Sequence, residues 1–194
     1  KMEYQKPLSR PVRTGEKPAI VKTVKASPKP HAKKEKNAVE LFEEALADTK
    51  DKKFEKSLDT LRGLLKKEPS HAKALTLKAA ILINLKQITE AEKVCLKTLG
   101  LDEWNLECYL LLGIIANIKN EEQEAFKRFK GALYIQPDCW LAHFYLGELY
   151  YSLDQLEESY REYGVTLKLL QKDGISNNGL SFFPLSFSIE QQIH

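Results

Sequence analysis

The chain of 194 residues is 43% apolar and 29% charged, with a formal net charge of +3, a balance that suits a globular domain. Its longest apolar run, Cys108 to Ala116, is too short to span a bilayer, and no signal peptide is visible, so a soluble cytoplasmic protein without membrane insertion is expected. The three cysteines, Cys95, Cys108 and Cys139, are odd in number and form no CxxC or Cys/His cluster, which argues against a disulfide framework and a metal site and leaves them as small buried hydrophobes.

Residues 1–37 carry eleven Lys or Arg against three acids and hold five of the prolines, Pro7, Pro11, Pro18, Pro28 and Pro30. The remainder of the chain is acidic, with 19 basic and 24 acidic residues. A segment this basic and proline-rich buries too little surface to offset its ordering entropy, and it reads as a semi-extended linker. Lys33, Lys34 and Lys36 could contact phosphates. With Tyr4 as the one aromatic there is no stacking platform, however, and nucleic acid is not the expected partner. A chain that opens on Lys1 and a linker is expected to follow a further domain.

From Ala38 to Gln171 the chain repeats every 34 residues. Pro69, Glu103, Pro137 and Gln171 stand one step apart, as do Gly113 and Gly147. A small position reads Ser57, Ala91, Ala125, Ser159; one turn later a bulkier one reads Leu61, Cys95, Phe129, Tyr163; a third reads Leu64, Thr98, Ala132, Thr166. The spacing predicts helices near 38–49, 54–67, 71–84, 88–99, 105–118, 121–134, 139–152 and 155–171. Pro69 and Pro137 stop their predecessors because proline lacks the amide proton and disfavours helix in the residue before it. One such helix pair cannot bury its apolar stripe alone and passes it to a neighbour. The pattern resembles the tetratricopeptide (TPR) repeat, which implies an all-α fold: a right-handed solenoid of about four helix-turn-helix repeats with a C-terminal capping segment.

Residues 172–194 leave the pattern. Gly174 offers a left-handed cap after the last helix, and Leu180, Phe182, Phe183, Leu185 and Phe187 cluster around Pro184. Ser188 to Gln191 has capping-box spacing. Burying each phenylalanine is worth roughly 1.5–3 kcal/mol, so this tail is expected to cover the open end of the fourth repeat, or else to lie in the concave groove as a built-in ligand.

The run Trp140-Leu141-Ala142-His143-Phe144-Tyr145-Leu146-Gly147-Glu148-Leu149-Tyr150, followed by Gly179-Leu180-Ser181 and Pro184-Leu185-Ser186-Phe187, resembles the TPR region carried behind the catalytic domain of some chemotaxis-receptor methyltransferases, the CheR family. The resemblance covers roughly residues 38–194. It implies an upstream domain that transfers methyl groups from S-adenosylmethionine to receptor glutamates. It also implies that the present residues bind a receptor segment, a signalling protein or their own catalytic domain. A stand-alone TPR adaptor is the alternative.

No catalytic or cofactor site is expected within the chain itself. Its glycines sit singly at helix ends and crossings, without the strand and glycine-rich turn that would bring backbone against S-adenosylmethionine. Cys139 and His143 share a helical face at i, i+4 and could be imagined as a nucleophile and base, but this face is needed for packing against the preceding repeat.

Binding is left to the concave wall, lined in such repeats by the first helix of each pair. The candidates are Thr76, Leu77, Ala80, Ile83 and Asn84 in the second repeat, Leu110, Ile114 and Asn117 in the third, and Leu141, Phe144, Glu148 and Tyr151 in the fourth. About half of them are expected to be buried as inter-repeat core. Resemblance to chaperone-binding TPRs would imply a Lys/Asn/Arg clamp for a terminal carboxylate. Its positions here hold Phe42, Leu46, Leu77, Glu107 and Leu111, and the clamp is missing.

Overall fold

The computed structural model describes residues 36–173. They form eight helices, α1 (Ala38–Lys50), α2 (Phe54–Lys67), α3 (Ala72–Asn84), α4 (Ile88–Leu99), α5 (Leu106–Ile118), α6 (Glu122–Ile135), α7 (Trp140–Ser152) and α8 (Leu156–Asp173), with no strand among the described residues. The basic arm up to residue 35 and the apolar tail from residue 174 lie outside them.

Each first helix packs antiparallel on the second helix of its own pair, and each second helix packs on the next pair's first helix. In addition α1 touches α3 and α3 touches α5, whereas among the described residues the second helices make no comparable contact with one another. The first helices α1, α3 and α5 therefore stand closer together than the second helices do, which puts the first helices on the inner, concave side of the solenoid.

The three periodic positions of the second helices are the packing points. Ser57, Ala91, Ala125 and Ser159 are fully buried, as are Leu61, Cys95 and Phe129 and the series Leu64, Thr98, Ala132 and Thr166; Tyr163 is half-buried. Facing them is a second periodic series of small residues, Ala45, Ala79, Gly113 and Gly147, all buried. The sizes across each pair are complementary. A Cβ on Gly113 would lie 2.6 Å from Phe129 Cζ, and one on Gly147 would lie 2.8 Å from Tyr163 Cδ1. In the first and fourth repeats the buried serine also ties the two helices together: Ser57 Oγ donates to the Ala45 carbonyl at 2.7 Å and Ser159 Oγ to the Gly147 carbonyl at 3.0 Å.

Helix ends repeat with the same step. The N-caps are Asn37, His71, Asn105 and Cys139. Asn37 forms a full capping box with Glu40, His71 Nδ1 accepts from the Ala74 amide, and Asn105 Oδ1 accepts from the Cys108 amide, whereas Cys139 contributes no side-chain cap. Between the helices of each pair sits one residue with left-handed backbone: Lys52, Lys86, Asn120 and Asp154, with φ of 59°, 61°, 59° and 60°. The amide after each reaches back five residues, Lys53 to Asp48, Gln87 to Leu82, Glu121 to Ala116 and Gln155 to Tyr150, at 2.8–2.9 Å. This satisfies a carbonyl that the helix end would leave orphaned.

Candidate partner-binding surface

Of the twelve residues expected on the concave wall, Thr76, Leu77, Ala80, Ile83, Leu110, Ile114 and Leu141 are buried. They sit where neighbouring first helices and their partners close on one another. Thr76 shows the arrangement: its hydroxyl donates to the Ala72 carbonyl at 3.0 Å and lies 3.5 Å from the Cys108 thiol of the next repeat. These seven belong to the core between repeats and offer a ligand no surface in this conformation.

The other five keep contact with solvent. Asn84 and Phe144 are half-buried, and Asn117, Glu148 and Tyr151 are exposed. Asn84 is steadied by its own helix, with Nδ2 donating to the Ala80 carbonyl at 2.9 Å. Phe144 meets Tyr145 edge-on at 5.5 Å and Tyr163 at 6.0 Å. The Tyr163 hydroxyl donates to Glu148 Oε1. Burial, and then this carboxylate, push the Tyr163 phenol well above the usual tyrosine range, so the ring stays protonated and keeps donating. Ile118, half exposed and one residue beyond Asn117, joins this surface. Its periodic position points to it, since the equivalent residue of the second repeat is Asn84, itself expected on this wall, whereas the expected residues of the third repeat stop at Asn117.

The surface thus combines amides at Asn84 and Asn117, apolar area at Ile118, Phe144 and Tyr151, and charge that changes sign along the row, from Lys73 in α3 to Glu148 in α7. Such a combination can orient a peptide segment through its backbone and hold apolar side chains. The imagined Cys139–His143 pair is not assembled. His143 Nδ1 lies 2.6 Å from Glu162 Oε2 and Nε2 lies 3.0 Å from the Pro137 carbonyl, while burial raises the Cys139 thiol above its ordinary range. The buried Cys95 thiol is pushed up more strongly, by its hydrogen bond with Cys108 and then by burial. Among the described residues no three His, Cys, Asp or Glu side chains converge as a metal site, and no helix is long and apolar enough to cross a membrane.

Known structures share this architecture. Residues 41 to the end of MamA from Desulfovibrio magneticus RS-1 superpose with a TM-score of 0.61 over 71% of this chain and 77% of that one, at 18% identity. The first TPR of Spaghetti (RPAP3), bound to an HSP90 peptide, gives a TM-score of 0.57 over 60% of this chain and 93% of that one, at 21% identity. The fold is a TPR-type solenoid. No family model matches the chain. In sequence, 98 residues, 50% of the chain, are 30% identical to the N-terminal acetyltransferase A complex auxiliary subunit NAA15 of Arabidopsis thaliana. The match spans only 11% of that relative's length.

Proposed function

We propose that this chain is a protein-interaction module that holds a peptide segment of a protein partner along the inner surface of its first helices. The observation that carries the reading is the solvent-facing row of half-buried Asn84 and exposed Asn117, Ile118, Glu148 and Tyr151 on a side where neighbouring residues are otherwise buried. Two of the likenesses support it. The RPAP3 repeat holds a peptide, and NAA15 is by name an auxiliary subunit of a complex. The ligand differs from a chaperone tail, since Leu77 and Leu111 are buried at clamp positions and Glu107 would repel a carboxylate. An anchored segment with a basic residue near Glu148 fits the charge better.

Residence behind a receptor methyltransferase rests only on the sequence resemblance, and these likenesses lend it no support. A stand-alone adaptor fits equally well. Selection of a displayed peptide library on the full chain tests the module reading. Tyr151→Ala and Asn117→Ala are expected to weaken selected peptides by at least about fivefold each, in the range of interface anchors. Lys97→Ala, on the exposed side of α4, is expected to leave them unchanged. Peptides indifferent to the inner-surface changes, or no enrichment at all, would overturn it.

A further inference from the structure

Among the described residues the last helix, α8, does not present a polar outer side. Repeat equivalence shows what the last face lacks. Leu65, Leu99 and Leu133 occupy one position in three successive second helices, and each is half-buried against the core. The fourth residue of that series, Leu167, is 59% exposed. Phe54 and Ile88 pack on the cores of their repeats, while their equivalent Leu156 is 42% exposed. Phe126 meets Tyr150 of the following helix with ring centroids 4.8 Å apart and the rings tilted, while its equivalent Tyr160 is 68% exposed. On α7 the same holds, since Phe144 is half-buried where its equivalents Thr76 and Leu110 are fully covered. Phe144, Leu156, Tyr160, Tyr163 and Leu167 thus form the apolar face that a further element would cover. Repeat arrays need a terminal cap with a polar outer side, and α8 does not provide one.

We infer that residues 175–189 of the same chain dock on this end face. The described chain stops at Asp173, the last residue of α8, with 21 residues still to follow. Those residues carry Leu180, Phe182, Phe183, Leu185, Phe187 and Ile189 within ten positions. The distance to be crossed is short, because earlier repeats join one pair to the next with connections such as Gly100 to Asn105. A tethered segment faces its site at an effective concentration in the millimolar range, so it occupies the face ahead of a second copy or a partner present at micromolar concentration. The tail has one acidic residue, Glu190, and no Lys or Arg, which agrees with an apolar contact rather than a charged one.

Hydrogen exchange of the full chain, read by mass spectrometry across α8, tests the inference. Substituting Phe182→Asp together with Phe183→Asp is expected to speed exchange in α8 by about tenfold, as local opening of a lost contact predicts, and to leave α3 unchanged. Tyr160→Asp with Leu167→Asp alters only exposed side chains and so preserves the repeats. It is expected to give a similar rise, and combining the two pairs is expected to add little, because both remove one shared contact. Unchanged α8 exchange in the tail variant overturns the inference. Protection that rises with protein concentration, together with a dimer in sedimentation, assigns the face to a second copy and overturns it as well.

Discussion

Gly113 and Phe129 show how far one side chain fixes another in this chain. The ring fills the space a Cβ on Gly113 would enter, and Phe129 is itself fully buried and stacked on Tyr145 at 5.1 Å, so it has nowhere to retreat. Gly113→Ala is expected to destabilise the protein by about 1–3 kcal/mol through overpacking. The first repeat contains its own remedy, with Ala45 facing Leu61. Adding Phe129→Leu to Gly113→Ala is therefore expected to cost less than the sum of the two single changes, a coupling that a double-mutant cycle in urea would read. Strict additivity would show that the two residues do not share a contact. Gly147→Ala, whose neighbour Tyr163 is only half-buried, is expected to cost less than Gly113→Ala, because this ring is less tightly enclosed than Phe129 and can shift.

At the scale of the helix, the left-handed residue in each turn carries an avoidable strain. Lysine has no side-chain group that favours this backbone, and a non-glycine residue there costs roughly 1–2 kcal/mol, part of which glycine returns as unfolded-state entropy. Lys86→Gly is expected to stabilise by about 0.5–1 kcal/mol, seen as a higher Tm. Asn120→Gly is expected to gain less, since asparagine tolerates the region. At the opposite helix ends, Asn105→Ala removes the bond to the Cys108 amide and is expected to lose about 1 kcal/mol.

These ends also show what the sequence discloses. Helix positions were legible because prolines, small residues and bulky residues recur in one register and reinforce each other. The observed helices begin and end within about two residues of the expected ones, the usual precision of helix ends. The start of α3 moved from His71 to Ala72 because a histidine can cap a helix as well as begin one. Lys52 and Lys86 gave no turn signal because lysine is not a turn residue, and only their 34-residue spacing betrays them in retrospect. The concave wall was half legible. Facing inward is periodic but burial is not, and Ile114 is covered within the core while its equivalent Glu148 in the last pair is exposed.

The whole solenoid is held by neighbour contacts. Its buried residues fall into two clusters, one around α1, α2 and one face of α3, the other running from α3 to α7, with Leu58 and Leu65 packed against both. Helix α3 is apolar on both sides, Leu77 and Ile81 facing the first cluster and Leu75 and Leu82 the second, so it transmits disturbance between them. Among the described residues, helix α1 has neighbours on one side only. Its amides are expected to exchange at least about tenfold faster than those of α5, as sub-global opening from an end predicts; equal rates would mean that the array opens only as a whole.

The matched sizes within each pair set what can be exchanged between such proteins. Ala45 with Leu61, Ala79 with Cys95, Gly113 with Phe129 and Gly147 with Tyr163 are four different solutions to one packing problem. A recombination that cut in the turn between two helices of a pair would bring Ala45 against a phenylalanine, or Gly113 against a cysteine, leaving a clash in one product and a void in the other. A cut in the loop between pairs keeps each fitted couple intact. The heritable unit of this array is thus the couple rather than the helix, and gain or loss of length should proceed in whole steps of 34.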